Sequence, residues 1–309
     1  MNKKTKKLIV SILILIVAFI YTTYEDDINN YLDSISNTKT EQKRKIDKKI
    51  TPVIKEDELD VYFIDVGQAD SILIRNKGHN MLIDAGNNED GSKLVTYFKS
   101  LGIESFDYVV GTHAHEDHIG GMDDIIKNFN INKFYMPDAI TTTKTFEDVL
   151  DALELKGIGF NTPEIDSEFS FSDSKIKTLY VGSDKSDLND TSIVLKLTYG
   201  SNSFLFTGDA TSGVEKQILN KDLSSDVLKV GHHGSSYSSS AQFLRKVNPK
   251  YAVISVGVNN TYRHPNQITL DKLEKIGSKI YRTDKDSTIL MKSDGVNIKV
   301  EKISTDTNG

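Results

Sequence analysis

The sequence predicts an α/β fold in which two mixed β-sheets pack face to face with helices outside. Three observations carry this. Paired apolar strands come first, from residue 59; helices and strands then alternate; and the second half of the chain repeats that scheme. Elements with one apolar face must bury it against another layer, and this order satisfies that requirement. The chain has 309 residues, 38% of them apolar, with 13 Phe and 13 Tyr. So large a supply of core-forming side chains excludes global disorder.

In chain order, Lys3, Lys4, Lys6 and Lys7 precede an apolar run from Leu8 to Ile20. This is the layout of an export signal or a membrane anchor. Residues 1–24 are therefore read as a signal anchor or a signal peptide, with a buried helix as the remaining alternative. In the first two cases the rest of the chain lies outside the cytoplasmic membrane, because positive charge stays inside. It is then single-pass in the cell membrane, or secreted if the segment is cleaved. Residues 25–57 are a polar linker, 58–303 the main domain and 304–309 a tail.

Runs of β-branched and aromatic residues place strands at 59–66, 71–75 and 80–84, the last two joined by a turn at Asn76-Lys-Gly-His79. Helices follow at 92–101, 121–129 and 145–155, with strands at 106–112 and 133–136 between them. A hairpin is expected over 169–181 and a second over 192–207, turning at Gly200-Ser-Asn. Then come helix 211–220, strand 226–231, helix 240–247, strand 250–257, helix 268–276 and strands near 279–283 and 287–292. Ser235–Ser240 reads as a mobile loop.

Cysteine is absent, which excludes disulfides, thiolate metal sites and a cysteine nucleophile. The net charge is −6, but it is unevenly divided. Residues 1–57 hold 11 Lys+Arg and 8 Asp+Glu, whereas residues 58–309 hold 27 and 36, a net of −9. A general basic surface is not what attracts the main domain's partner.

Seven histidines are present, three of them in Thr112-His-Ala-His-Glu-Asp-His-Ile-Gly-Gly121. His113 and His115, as alternate residues of an extended segment, point the same way. Asp117 and His118 turn toward the same centre as a helix starts. Imidazole nitrogen with carboxylate oxygen is a ligand set for Zn²⁺, Mn²⁺ or Fe. Gly120-Gly121 lets the backbone pack close behind. His79 lies in a hairpin turn and is read as inert. Lys229, inside its strand, is read as solvated.

His-x-His-x-Asp-His resembles the signature of the metallo-β-lactamase superfamily. Asp84 in Leu82-Ile-Asp-Ala-Gly86, Asp209 in Thr207-Gly-Asp-Ala210 and the pair in Gly231-His-His-Gly-Ser235 follow in the family's order. Phe63-Ile-Asp-Val-Gly-Gln-Ala-Asp70, Asn189-x-x-Ser192, Tyr262-Arg-His-Pro265 and Tyr281-Arg-Thr-Asp284 resemble its ComEC-like subgroup of DNA-uptake proteins. The likeness covers residues 59–295. Only one apolar segment accompanies it, so the expectation is a stand-alone hydrolase domain without a transport channel.

The resemblance implies a four-layer αββα sandwich with two divalent metal ions, Zn²⁺ or Mn²⁺, at the sheet edges. His113 and His115 would hold one ion. Asp117 and His118, with a histidine of the 232–233 pair, would hold the other, and Asp209 would bridge. His232 is preferred as that ligand because it ends strand 226–231, with His233 left to face substrate or support the site. Asn189 stands where many relatives supply a third histidine, a weaker ligand. Asp84 is expected to hold the His-rich loop by hydrogen bonds. Asp70 is either close to the ligands or a turn residue. His264 and His233 are candidate acids and Arg263 a phosphate clamp.

The function implied is a metal-dependent hydrolase, as a phosphodiesterase or nuclease acting on extracellular DNA beside uptake machinery. The alternative is a hydrolase of a small envelope phosphodiester, ester or lactone, for example of phosphorylcholine esterase type. A scaffold that binds no metal is the third reading. Salt separates the first two, since phosphate-directed binding weakens as salt rises.

Overall fold

The computed structural model describes residues 58–139, 141–183 and 186–304. The readings made for residues 1–57 and for the tail beyond 304 lie outside these. Among the described residues no helix is long and apolar enough to cross a membrane.

The chain opens with three antiparallel strands, β1 (Leu59–Phe63), β2 (Ser71–Asn76) and β3 (His79–Ala85). Lys77 and Gly78 both take positive φ, 50° and 81°, as a two-residue type I′ hairpin turn requires. Next come α1 (Gly91–Ser100), β4 (Ser105–Val110), α2 (Glu116–Ile119), α3 (Met122–Asn128), β5 (Asn130–Tyr135), α4 (Lys144–Lys156) and β6 (Phe160–Asn161). β4, β5 and β6 extend the sheet from β3 in parallel, each reached by a crossover.

The second half repeats the plan. β7 (Glu168–Phe171), β8 (Ser174–Tyr180), β9 (Val194–Tyr199) and β10 (Asn202–Phe206) are antiparallel. After α5 (Ser212–Gln217), β11 (Val227–Lys229), α6 (Ala241–Val247), β12 (Tyr251–Ile254), α7 (Gln267–Lys275) and β13 (Lys279–Arg282) extend that sheet in parallel. A last helical turn, α8 (Thr283–Asp286), leads back to the first sheet, where β14 (Thr288–Ser293) pairs with β1 and β15 (Ile298–Ile303) forms the edge. The sheet orders are β15-β14-β1-β2-β3-β4-β5-β6 and β13-β12-β11-β10-β9-β8-β7.

Period-two alternation sorts the side chains into three apolar layers. Val61, Phe63, Ile72 and Ile83 of the first sheet meet Leu195 and Phe206 of the second. Tyr62, Leu73 and Leu82 face the other way, onto Leu94 and Phe98 of α1 and Ile125 of α3. Leu205 and Leu228 face Val214 of α5, Phe243 of α6 and Leu273 of α7. Helices thus cover both outer faces.

Differences from the expected elements are local. The strand expected at 133–136 begins at Asn130, and β6 and β15 carry too little apolar pattern to be read in advance. β15 is charged at Lys299, Glu301 and Lys302, which suits an edge strand. Ser238 and Ser239, expected in a mobile loop, are buried. The Glu215 carboxylate accepts the amides of Ser239 and Ser240, at 2.5 and 2.8 Å, and pins that loop.

The crossovers leave the carboxyl ends of β3, β4, β10, β11 and β12 along one rim, the usual place for a site in such sheets. Gly120 and Gly121 bring the loop after β4 against this rim, with Gly120 N–H donating to Gly86 O at 2.9 Å. A methyl on Gly121 would lie 2.5 Å from Ala85 O and 2.8 Å from Gly91 Cα. Gly121→Ala is therefore expected to destabilise the fold by about 1–3 kcal/mol in urea denaturation. Gly159→Ala, where no atom stands within 4 Å, is expected to shift it by less than about 0.5 kcal/mol.

Candidate metal centre

The site is built outward from Asp84. This residue, near the end of β3, has φ of 59°, a left-handed conformation that Asp and Asn tolerate best among side chains with a Cβ. Its buried carboxylate accepts Thr112 N–H and Thr112 Oγ1–H, both at 2.8 Å, and His118 Nδ1–H at 2.8 Å. The loop after β4 is thereby tied to β3. A carboxylate only accepts, so His118 carries its proton on Nδ1 and turns Nε2 toward Asp209 Oδ1, 3.3 Å away.

The same logic sets His113. The Thr112 hydroxyl proton is directed to Asp84, so its oxygen accepts from His113 Nδ1–H at 3.2 Å. His113 Nε2 is then a bare lone pair, 3.0 Å from His115 Nδ1. Burial, and next the charge on His118, hold the His113 imidazole well below its usual range, so it is neutral. Two imidazole nitrogens about 3 Å apart have the spacing of two ligands on one tetrahedral ion with bonds of about 2 Å.

Across the seam, His232 and His233 follow β11. Both have left-handed backbone, with φ of 51° and 50°, and they lie in a 3-10 turn, Gly231–Gly234. Strand alternation ends at this turn, so it does not decide which of the two side chains faces the cluster. His233 is the side chain turned into the cluster. It is 1% exposed, donates Nδ1–H to Ser255 O at 3.0 Å, and points Nε2 at Asp117 Oδ2, 3.2 Å, and Asp209 Oδ2, 3.6 Å. His232 lies outside it, partly exposed, with Nε2 3.7 Å from Asp209 Oδ2 and its ring edge-on to His264.

Electrostatics follow from this crowding. Burial alone would raise the Asp209 carboxyl, yet His118 and His233 beside it hold it well below the usual range. Burial likewise opposes charge on His233, but Asp209, Asp117 and Asp70 outweigh it and lift the imidazole to about 10. Asp117, raised by burial and lowered more by His118 and His233, stands at about 2. His118 is raised well above its usual range, since Asp209, Asp84 and Asp117 outweigh its burial.

A divalent ion fits the donors. The donor atoms of His113, His118 and Asp209 lie within 4.8 Å of one another, and so do those of Asp117, His118 and His233. His118 Nε2, Asp209 Oδ1 and Asn189 Oδ1 are buried without a hydrogen-bond partner. Carboxylates facing imidazole Nε2 atoms demand positive charge between them, and a cation supplies it.

The remaining candidates divide. Asn189 stands in a 3-10 turn, Leu188–Thr191, that leads to Ser192, whose hydroxyl accepts Asp209 N–H at 3.1 Å. His264 is half-buried with an unpartnered Nδ1. Burial, then His232 and His233, pull it down to about 4. Arg263 is exposed beside it. His79 sits at the opposite end of β3 from Asp84 and pairs with Asp107 at 3.2 Å.

Lys229 differs most from its sequence reading. It is 1% exposed, because β11 lies inside its sheet between β10 and β12 and is covered on both faces. Its Nζ pairs with Asp70 Oδ2 at 2.6 Å. Asp70 in turn lies 3.4 Å from His233 Nδ1, donates its N–H to Asp117 O and accepts Gly86 N–H. The available signal was a lone lysine inside Val227-Leu-Lys-Val230, since a lysine is almost never fully buried unless paired.

The profile of the Metallo-beta-lactamase superfamily matches residues 64–258. The chain belongs to this superfamily of hydrolases. Its relatives include ComE operon protein 3 of Bacillus subtilis (strain 168), 30% identical over 251 residues, covering 74% of this chain and 32% of the relative. Competence protein ComA of Neisseria gonorrhoeae is 31% identical over 235 residues, covering 75% and 32%. These competence proteins agree with the ComEC-like motifs. The chain spans about a third of the length of these relatives. Among solved structures, the metallo-β-lactamase fold protein YhfI from Bacillus subtilis superposes with a TM-score of 0.54 at 13% identity, covering 76% of this chain and 99% of YhfI. That likeness concerns the fold alone.

Two outcomes test the site. Asp84→Asn keeps a side chain that tolerates the left-handed backbone but removes the charge that orients His118. Metal affinity, by calorimetry with Zn²⁺ or Mn²⁺, should fall about 10–100-fold with the circular dichroism unchanged. Lys229→Met strands the Asp70 charge and should cost about 3–5 kcal/mol in denaturant melts, and the double variant with Asp70→Asn should recover part of this.

Proposed function

We propose that the chain is a metal-dependent phosphodiesterase that cleaves DNA outside the cytoplasmic membrane. The observation that carries this reading is the convergence of His113, His115, His118 and His233 with Asp117 and Asp209 on one rim where the two sheets meet. Support for DNA comes from the likeness of its motifs to the ComEC-like subgroup of DNA-uptake proteins, together with Competence protein ComA among its relatives. The placement outside the membrane rests on the lysines ahead of the apolar run 8–20.

His113 and His115 would hold one ion, with Asn189, whose buried Oδ1 has no hydrogen-bond partner, as a further candidate. Asp117, His118 and His233 would hold the second, with Asp209 between. When bound, two divalent ions supply Lewis acidity toward a phosphoryl oxygen and activate a water as nucleophile at neutral pH. Asp84 and the Ser255 carbonyl fix the tautomers of His118 and His233, so both present Nε2. His264, neutral at pH 7, stands between the rings of His232 and Tyr262 at the edge of the cluster. Arg263 beside it supplies a planar fork suited to a phosphate.

The acidic balance of residues 58–309 favours one other reading, hydrolysis of a small envelope phosphodiester or ester such as a phosphorylcholine ester, which needs no long basic groove. The separating experiment assays the purified chain with added Mn²⁺ or Zn²⁺ on single-stranded and duplex DNA, beside Asp117→Asn. Metal-dependent cleavage is expected, and the variant should lose about 100-fold or more. No cleavage by the metal-loaded chain would sink the nuclease and leave the small ester.

A further inference from the structure

Exposed large apolar side chains are not scattered evenly. Tyr237, Val258, Tyr262 and Ile268 are 74%, 69%, 68% and 60% exposed. The first three stand in the loops after β11 and β12 that deliver His232, His233 and His264, and Ile268 opens α7 just beyond. Single exposed apolar residues need no explanation, but a group of them beside a reactive rim does.

Among these, Tyr262 is joined to the site by a line of rings. It stacks on His264 with centroids 5.8 Å apart and planes at 25°. His264 meets His232 edge-on at 5.6 Å, His232 lies 6.3 Å from His233, and His233 lies 5.4 Å from His118. The inner face of the phenol is covered by His264, and the outer face is open. The ring is the solvent end of a row that finishes among the metal donors.

Charge narrows what such a ring would hold. The segments bordering the site, 65–70, 113–119, 186–192, 207–212, 234–240 and 257–266, contain one Lys or Arg, which is Arg263. The same segments carry Asp65, Glu116, Asp187 and Asp190 besides the site aspartates. Lysine-to-phosphate attraction, the ordinary source of nucleic-acid affinity, is nearly missing here. Stacking of a base on an aromatic face needs no such charge and tolerates any base. It does require a base that is free of its neighbours, which a duplex withholds.

Resting on the phosphodiesterase reading above, we propose that Tyr262 stacks an unpaired nucleobase beside the scissile phosphodiester, which makes single-stranded DNA the favoured substrate. Tyr262 is then a binding residue: it holds the substrate and leaves the chemical step to the metal centre.

The test uses the full chain with Mn²⁺ or Zn²⁺ and compares wild type, Tyr262→Ala and Tyr262→Phe. The substrates are a single-stranded oligonucleotide, an abasic oligonucleotide of the same length and a duplex. Wild type should cleave the single strand in preference to the duplex. Tyr262→Ala should raise KM for the single strand about tenfold, with kcat changed by less than about twofold, and Tyr262→Phe should keep the wild-type KM. On the abasic strand wild type and Tyr262→Ala should have the same KM. If wild type cleaves DNA but Tyr262→Ala keeps its KM, or loses as much on the abasic strand, base stacking is overturned while the nuclease stands. If wild type cleaves no DNA with either metal, both readings fall.

Discussion

The structure is organised around one electrostatic constraint. Asp70, Asp84 and Asp209 are each at most 2% exposed, and Asp117 lies against them at the rim. Carboxylates taken out of water must be given positive charge or hydrogen-bond donors at short range. Here each is answered differently. Asp70 takes Lys229, Asp84 takes Thr112 and His118, and Asp117 and Asp209 take the imidazoles of His118 and His233. The last two are left facing donors that a divalent cation satisfies better than a proton does, and that residual demand is what makes this rim a metal centre.

Meeting the constraint requires parts from both halves of the chain to be held to within a few tenths of an ångström. The fold supplies this by burying three apolar layers and letting strand ends, rather than long loops, carry the donors. Asp84, His232 and His233 take strained left-handed backbone at the rim, as do Ser239, Asn259 and Arg263 in the bordering loops. Such strain persists only where surrounding structure over-determines it. At Asp84 three hydrogen bonds do so, and at His233 the hydrogen bond to the Ser255 carbonyl does so.

The substrate side is shaped by what the centre leaves unpaid in charge. The bordering loops are acidic apart from Arg263, so long-range attraction of a polyanion is weak until cations are bound. Aromatic and aliphatic side chains on the loops after β11 and β12 offer contact of another kind.

Local pattern was enough to read most elements, because apolar residues at period two or at helical spacing are forced to one face by burial. It was enough to find the reactive segment too, since four metal-binding side chains within six residues have little other use. The motifs around Asp84, Asp209 and His232-His233 were legible for the same reason of residue type and order. Which of His232 and His233 turns inward was not, because both have positive φ and the strand rule for side-chain direction stops at Val230. The burial of Lys229 was not legible either, because nothing local marks β11 as an inner strand covered on both faces. Nor was the partnership of Asp70 with Lys229, which are 159 positions apart. Sequence by itself thus determined which side chains could bind metal and in what order the strands and helices run. Only the tertiary structure decided which nitrogens face the carboxylates, since that depends on backbone dihedrals and on charges brought together from distant segments.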